Sequence, residues 1–475
     1  MALYPTKSVL LNLDRAFLNS EETNLVMNSI TCPFCRYFIM LFFIVGCSGD
    51  VDYDDIPHDD LITVPPEDEL PQINLQTNGS AIVDEPKSIA QISISEAGIE
   101  TYNGFIGIEI RGTTSQRFPK KSYGFESRDS DNEDLDVSLL EFPEEEDWIL
   151  YGPFADKSLM RNMLIYDLSR SMGRYASRTR FVEVSIDSFY RGVYIFMEKL
   201  KRDDNRIDIN KLKDDENTGE DVTGGYILKI DRGSGTFPSS FRPNYASEGQ
   251  RINFLYDDPD IDDITDEQMD YISNYMNDFE TALASDEFRD TNDGYAAYID
   301  VASFIDFFIL TELSNNVDGY RLSTWLTKDK NDKLKMGPIW DFNLAFGNAD
   351  YCGGGDTNVW AYKFNERCPD DTWVTPFWWD RLLEDPDFTS QLQSRWNSLR
   401  QDVLSISSIN SQINSYDTLL SQAGAIENNF NKWDVLGLRV APNNFVGDSH
   451  REEVEFLKSW INDRFNWLDN AIRSL

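Results

Sequence analysis

Between residues 88 and 200 the apolar positions recur every second residue. "AQISISEA" and "GFIGIEIRG" alternate like strands, and "KKSYGFES" resumes the alternation after a short turn. "RFVEVSIDSFYRGVYIFMEKL" alternates on both sides of Asp187 and Ser188, which predicts a hairpin turning there. From Thr265 the period lengthens. Thr265 and Gln268 form a capping box, and Met269, Ile272, Met276, Phe279 and Leu283 mark one face of a helix. A second helix is expected at once, with Val301, Phe304, Ile305, Phe308, Ile309 and Leu313 on its face, ending at the loop-like "SNNVDGY". Two short strand-like runs follow, "YRLSTWLT" and "KLKMGPIW", joined by "KDKND"; from about residue 376 the pattern is helical to the end, with Val454, Leu457, Ile461, Leu468 and Ile472 toward the core. The chain therefore reads as α+β, with a β-rich half over 72–260 and a mostly helical half over 261–475.

Composition limits what such a fold can do. With 43 Lys+Arg against 83 Asp+Glu the net charge is −40, which repels nucleic acid phosphates and anionic lipid surfaces. Nucleic acid is excluded as a partner. The two histidines, His58 and His450, are too few for His-ligated zinc, and Ser-His-Asp chemistry lacks parts. Catalysis, if any, runs on carboxylates, amides and cations.

The N-terminus predicts a location. "CRYFIMLFFIVGCSGD" has one cation, Arg36, and an apolar run from Tyr37 to Val45 too short to span a bilayer permanently. Its ending, Ile-Val-Gly-Cys, resembles a bacterial lipobox, so residues 1–47 are expected to be a signal segment, with Met27 a possible true start and Cys47 lipidated. The acidic, Pro-containing stretch 48–71 reads as a disordered tether. An exported, membrane-anchored protein follows, facing the periplasm or the cell surface. Beyond Cys47 only Cys352 and Cys368 remain; two thiols do not complete a zinc site, so a disulfide is expected. "DDPDIDDITDE" lacks the glycine and closing glutamate of an EF-hand loop and reads as a solvated approach to a helix.

Two carboxylates stand apart from the acidic background. Asp318 lies in the loop after a predicted helix, and Asp341, in "GPIWDFNLAFGNAD", ends a predicted hairpin among aromatic residues. A hairpin can return the second to the first. Loop Asp, hairpin, then Asp beside an aromatic is the order in which protein kinases place a base for the acceptor hydroxyl and a carboxylate for magnesium. Cations cluster as well: Arg111, Arg117, Lys120 and Lys121 around "GTTSQRFP", and Lys199, Lys201, Arg202 and Arg206 in a second short segment. Such clusters suit phosphate oxygens, although neither G-x-G-x-x-G nor a Walker A run is present.

The runs "IRGTTSQRFPKKSYGFE", "ILYGPFADKSLMRNMLIYDLSRSMG", "YRGVYIFMEKLKRDDNRIDI", "GGYILKID", "NNVDGYRLSTWL" and "GPIWDFNLAFGNADY" come in the order found in the CotH family of spore-coat-type atypical protein kinases, which the chain resembles over roughly residues 100 to 390. The resemblance implies a divergent, two-lobed kinase-like fold. It further implies binding of ATP with Mg or Mn and phosphorylation of Ser or Thr of a partner protein. On this resemblance Asp318 is the catalytic aspartate and Asp341 the metal ligand. Lys121 and Glu198 take the places of the kinase lysine and its acidic partner, and Arg161 that of a phosphate ligand. The chain departs from the kinase pattern at the second metal ligand: five residues beyond Asp318 stands Ser323 rather than Asn, so Asn343 is the candidate substitute. The other reading is a non-catalytic, kinase-like surface lipoprotein acting in binding or adhesion, since ATP is scarce outside the cytoplasm.

Overall fold

The computed structural model describes residues 69–233, 240–242, 245 and 249–475. The expected signal segment with Met27 and Cys47, and the tether up to residue 68, lie outside them. The β-rich half takes the form of a closed barrel. Its strands are β1 (Gln72–Gln76), β2 (Ser88–Glu96), β3 (Ile99–Arg111), β4 (Ser122–Arg128), β5 (Asp147–Tyr151), β6 (Thr179–Ile186) and β7 (Phe189–Glu198), in the order β1-β2-β3-β4-β5-β7-β6. Antiparallel pairs run around it, and β1 closes the circle by pairing parallel with β6, which leaves no free sheet edge. Ile92, Ile94, Ile106, Ile108, Phe125, Trp148, Val184 and Phe196 fill the interior. The β6–β7 hairpin turns at Asp187 and Ser188, both with positive φ (49° and 66°). Asp187 also closes the barrel, because its carboxylate accepts from Thr77 N at 2.7 Å and Thr77 Oγ1 at 2.6 Å.

The outer face of β5, β6 and β7 is not solvated. Ile149, Phe181, Val193, Ile195 and Met197 join the core of the helical half, which explains why β7 reads as a nearly unbroken apolar run. Between β5 and β6 lies α1 (Arg161–Ser171), a helix absent from the pattern reading. Its residues from Arg161 to Tyr166 are all buried, the polar Arg161 and Asn162 included, so its first half shows no solvent face.

A second sheet, ordered β12-β11-β8-β10-β9, combines β8 (Tyr226–Ile230), β9 (Ser240–Phe241) and β10 (Phe254–Asp258) with β11 (Thr324–Lys328) and β12 (Leu334–Met336). It thus draws strands from both sides of residue 260. The helices are α2 (Asp266–Ala284), α3 (Val301–Ser314), α4 (Phe364–Arg367), α5 (Trp378–Leu382), α6 (Pro386–Leu399), α7 (Ile406–Gln422), α8 (Ala425–Lys432) and α9 (His450–Arg473). The Thr265/Gln268 capping box opens α2. α3 does not follow at once: residues 285–300 intervene, with a short 3-10 turn at Tyr295–Ala297. Asp300 caps α3 by accepting from Ser303 N at 2.7 Å, and from Ser303 to Ser314 every residue is buried, as befits a central helix. Among the described residues no helix is long and apolar enough to cross a membrane.

Candidate active site

The site forms where α3 ends. Asn315 closes the helix in the left-handed conformation (φ 44°), and its Nδ2 donates to the carbonyls of Gly353 at 2.9 Å and Asp356 at 3.0 Å. Asp318 follows in the loop, its amide donating to Asn316 Oδ1 at 3.2 Å. The β11–β12 hairpin then carries the chain back, as its sequence predicts. Asn316 Nδ2 donates to the Asp341 carbonyl at 3.4 Å, and Phe346 N to Ser314 O at 2.7 Å. Asp318 and Asp341 are therefore on adjoining segments, stitched backbone to loop.

The two carboxylates sit in different surroundings. Asp318 Oδ1 accepts from Arg321 Nη2 at 2.9 Å and from the Tyr351 hydroxyl at 3.4 Å. Burial pushes its pKa up, and Arg321 and Arg232 oppose that shift. Asp341 is held by its backbone: its amide donates to Tyr166 Oη at 3.1 Å, and the next amide, Phe342 N, to Asn162 Oδ1 at 2.8 Å, both on α1. Among the described residues nothing donates to its carboxylate. Burial first, then the charges of Asp318 and Asp231, push its pKa up to about 7, with Arg111 the opposing cation. Its φ of 61° is left-handed, as are those of Tyr320 (69°) and Phe346 (51°), a concentration of costly backbone found where a fold holds a functional geometry.

Asp231 was not singled out from the sequence, although the run "GGYILKID" ends on it. It follows β8, and the register Ile230↔Thr324 sets it beside the loop that carries Asp318. Arg111 stacks on Trp340 at 5.5 Å, and the Tyr166 ring lies 6.0 Å from the same indole. Trp340, immediately before Asp341, thus seats the cation that, among the described residues, faces it. Tyr166, Asn162, Arg321 and Tyr351 were equally invisible as site residues; only proximity in the fold gives them a role.

Other expected residues are placed differently. The Lys121–Glu198 ion pair does not form. Glu198, at the end of β7, lies across the hairpin from Arg178, whose Nη1 reaches it at 2.6 Å and whose amide reaches it at 2.9 Å, while Lys121 Nζ donates to the Gln116 carbonyl. Its neighbour Lys120 is buried, donating to Val193 O at 2.6 Å and Asn429 Oδ1 at 2.8 Å, and burial drives its pKa well down. Arg161 is buried at the start of α1, its Nη1 on Asp156 and on Ser158 Oγ at 3.1 Å, so reaching a ligand requires that pair to open. Asn343 is half-buried beside Tyr151 and near Asp341. The second basic cluster is consumed internally: Lys199 pairs with Asp147 at 3.1 Å, Lys201 with Glu145 at 2.6 Å, Arg202 with Asp258 at 3.1 Å and Arg206 with Glu145 at 3.2 Å. Cys352 and Cys368 are disulfide-bonded, with Cα atoms 5.4 Å apart.

Hard oxygen donors around an uncompensated carboxylate fit a divalent cation such as Mg or Mn. Among the described residues the trio of acids whose oxygens lie within 4.8 Å of one another is Asp136, Glu145 and Glu146, the last two already paired with Lys201. Asp231, Asp318 and Asp341 are more open than that. Such openness suits magnesium, which keeps waters and substrate phosphates beside one or two carboxylates.

Residues 108–468 match the family described as CotH kinase protein. No curated protein matches the chain. Among solved structures it is similar to the crystal structure of a Helicobacter pylori proinflammatory kinase, CtkA, at 9% identity and a TM-score of 0.30, over 71% of this chain and 94% of that one.

Proposed function

The chain belongs to the CotH kinase protein family, and on that premise we propose that it transfers the γ-phosphoryl group of ATP to a Ser or Thr hydroxyl of a partner protein, with Mg or Mn. The observation that supports this reading best is the pairing of Asp318 and Asp341 on adjoining segments, one under two donors and the other, among the described residues, with none. Asp341, with Asn343 and Asp231, would hold the cation, which when bound neutralises charge on the nucleotide phosphates. Arg111 and Lys121 flank the Gly112–Gln116 turn and would meet phosphate oxygens. Asp318 orients the acceptor hydroxyl and takes its proton as the bond to phosphorus forms. Arg321 and Tyr351 hold that carboxylate in one rotamer.

The two aspartates should separate on substitution. Asp341→Asn should weaken cation-dependent ATP binding and abolish transfer; Asp318→Asn should abolish transfer and leave ATP binding nearly intact. Labelled ATP with magnesium or manganese reads out both. If the wild-type chain binds neither Mg-ATP nor Mn-ATP, the non-catalytic binding module replaces the kinase.

We also take the chain to be an exported lipoprotein anchored through Cys47, because the apolar run ends on Ile-Val-Gly-Cys. Mass spectrometry of the mature N-terminus tests this; an unprocessed, unlipidated chain overturns it.

A further inference from the structure

Of the two donors to Asp318, one adjoins the disulfide-closed loop Cys352–Cys368, and the other, Arg321, lies three residues beyond Asp318 and is held both locally, by the Val317 carbonyl at 2.9 Å, and from beyond that loop. Tyr351 immediately precedes Cys352 in sequence. Arg321, the other donor, is held in turn from beyond Cys368: its Nη1 donates to Asp371 Oδ2 at 3.3 Å and to Trp373 O at 3.1 Å. Its guanidinium also lies 3.8 Å from the ring centre of Phe364, inside the loop. The two ends of the loop are tied to each other and to their surroundings. Arg367 Nε donates to Cys352 O at 3.0 Å, and Asp371 N to Cys368 O at 3.0 Å. The same loop also grips the segment from above, since the carbonyls of Gly353 and Asp356 receive Asn315, the residue at which α3 gives way to the loop of Asp318. Gly354 fits there only without a side chain: an added Cβ would stand 2.7 Å from a Val317 methyl.

Asp341 is anchored elsewhere. Its backbone hangs on Tyr166 and Asn162 of α1 and on Asn316. The Asp318 carboxylate is thus held from the disulfide loop and the Asp341 backbone mainly from α1, with Asn316 a contact that both segments share.

We infer that the Cys352–Cys368 loop is a clamp on the acceptor-activating carboxylate: it fixes Asp318 through Tyr351 and Arg321 as positioning residues and leaves the cation site at Asp341 independent of it. The inference rests on the reading of Asp318 as the base for the acceptor hydroxyl. A base that must meet a hydroxyl within hydrogen-bond reach loses rate steeply when its carboxylate swings, whereas cation binding at a separate carboxylate does not. Opening the clamp is a balanced exchange: a dithiol reductant gives two electrons and two protons to the S–S bond, leaving two cysteine thiols and an oxidised dithiol.

The test uses the full chain in three forms: oxidised, reduced with dithiothreitol, and the Cys352→Ser/Cys368→Ser double variant. Three quantities are read: phosphoryl transfer from ATP to a mixed Ser/Thr peptide library, manganese affinity by electron paramagnetic resonance, and amide hydrogen exchange over Val317–Leu322. Opening the disulfide should lower kcat by about tenfold or more while manganese affinity stays within about twofold. Exchange over Val317–Leu322 should rise, with β11 unchanged. Tyr351→Phe, with the disulfide intact, should lower kcat in the same direction and leave manganese affinity alone. Unchanged kcat and unchanged exchange, with both thiols titrated as free, overturn the clamp. So does a parallel fall of kcat and manganese affinity, which marks the loop as general support. If the oxidised chain transfers no phosphate, the reading of Asp318 as a base fails by itself, and exchange over Val317–Leu322 still decides whether the loop is a clamp.

Discussion

Glu312 and Asp341 are two carboxylates withdrawn from water near the end of α3, and they are treated in opposite ways. Glu312 has every lone pair occupied. Its Oε1 accepts from the Tyr320 hydroxyl at 3.1 Å and Tyr362 N at 2.9 Å; its Oε2 accepts from Ala361 N at 2.8 Å and Arg464 Nη2 at 3.1 Å. Arg464 returns to the same residue, its Nε donating to the Glu312 carbonyl at 2.7 Å. Asp341 has like charges for neighbours and, among the described residues, Arg111 as the cation facing it. A buried charge whose partners are all inside the fold is structural: burial pushes Glu312 up as well, but Arg464, the amides of Ala361 and Tyr362 and the Tyr320 hydroxyl oppose it from within the chain. One whose compensation is missing is poised for something from outside. The contrast separates the residue that builds the site from the residue that uses it.

The largest effect should fall on the structural member. Arg464→Leu leaves Glu312 buried without its cation, and breaking such a pair costs about 3–5 kcal/mol. Denaturant unfolding of the two proteins measures it; a loss below about 1 kcal/mol would mean that the four hydrogen bonds alone satisfy Glu312, and the comparison would lose its first half. Next in size is the disulfide. Its cysteines are 16 residues apart, and a loop of that length stabilises by about 3 kcal/mol in the chain-entropy model. The midpoint of unfolding with and without reductant checks this, and two free thiols in the purified protein, found under non-reducing denaturing conditions, would remove its basis.

Only the Asp341 side of this contrast was legible in the chain, and the limit has a physical origin. Asp318 and Asp341 stand out because local signals frame them: a helix that stops on Asn residues, and a hairpin with polar turn residues between two apolar runs. The Asp187–Ser188 turn and the Thr265 cap are local in the same sense, and the structure has both. What lies across the fold leaves no local trace. Arg178 opposite Glu198 is set by the register of β6 on β7, so the kinase-like pairing of Lys121 with Glu198 could not be checked against its competitor. Glu312 reads as one more acid on an apolar helix until Arg464, far along the chain on α9, reaches it. α1 hides for another reason: its first six residues, Arg161 and Asn162 among them, are all buried, so polar residues there mark no solvent face. Closure of the barrel depends on a parallel β1–β6 contact between segments far apart in sequence, which alternation alone cannot assign.

The smallest effect, and the sharpest test of the second half of the contrast, concerns Asp341 without its cation. Its pKa rises from 3.8 to about 7 on folding, so the folded chain holds a proton there that the unfolded chain releases. The stability associated with the protonated form is complete below the unfolded value near 4 and is lost as pH climbs through about 7. Between pH 5 and 8, in chelator, the wild-type chain should therefore lose stability relative to Asp341→Asn, on the order of 2 kcal/mol after allowance for partial exposure. Asparagine is the right substitute because it keeps the shape and tolerates the left-handed φ of 61° better than most residues. Carboxylates pushed upward away from Asp341, such as Glu453, titrate in both proteins and cancel in the difference; Asp318 faces Asp341 and does not, so its share belongs to the measured change. Added manganese should reverse the sign above pH 7, raising the melting temperature of the wild type and leaving that of the variant unmoved. A difference that is flat with pH, or a manganese response equal in both proteins, would show that Asp341 is compensated within the fold after all, and that the cation, if one binds, binds elsewhere.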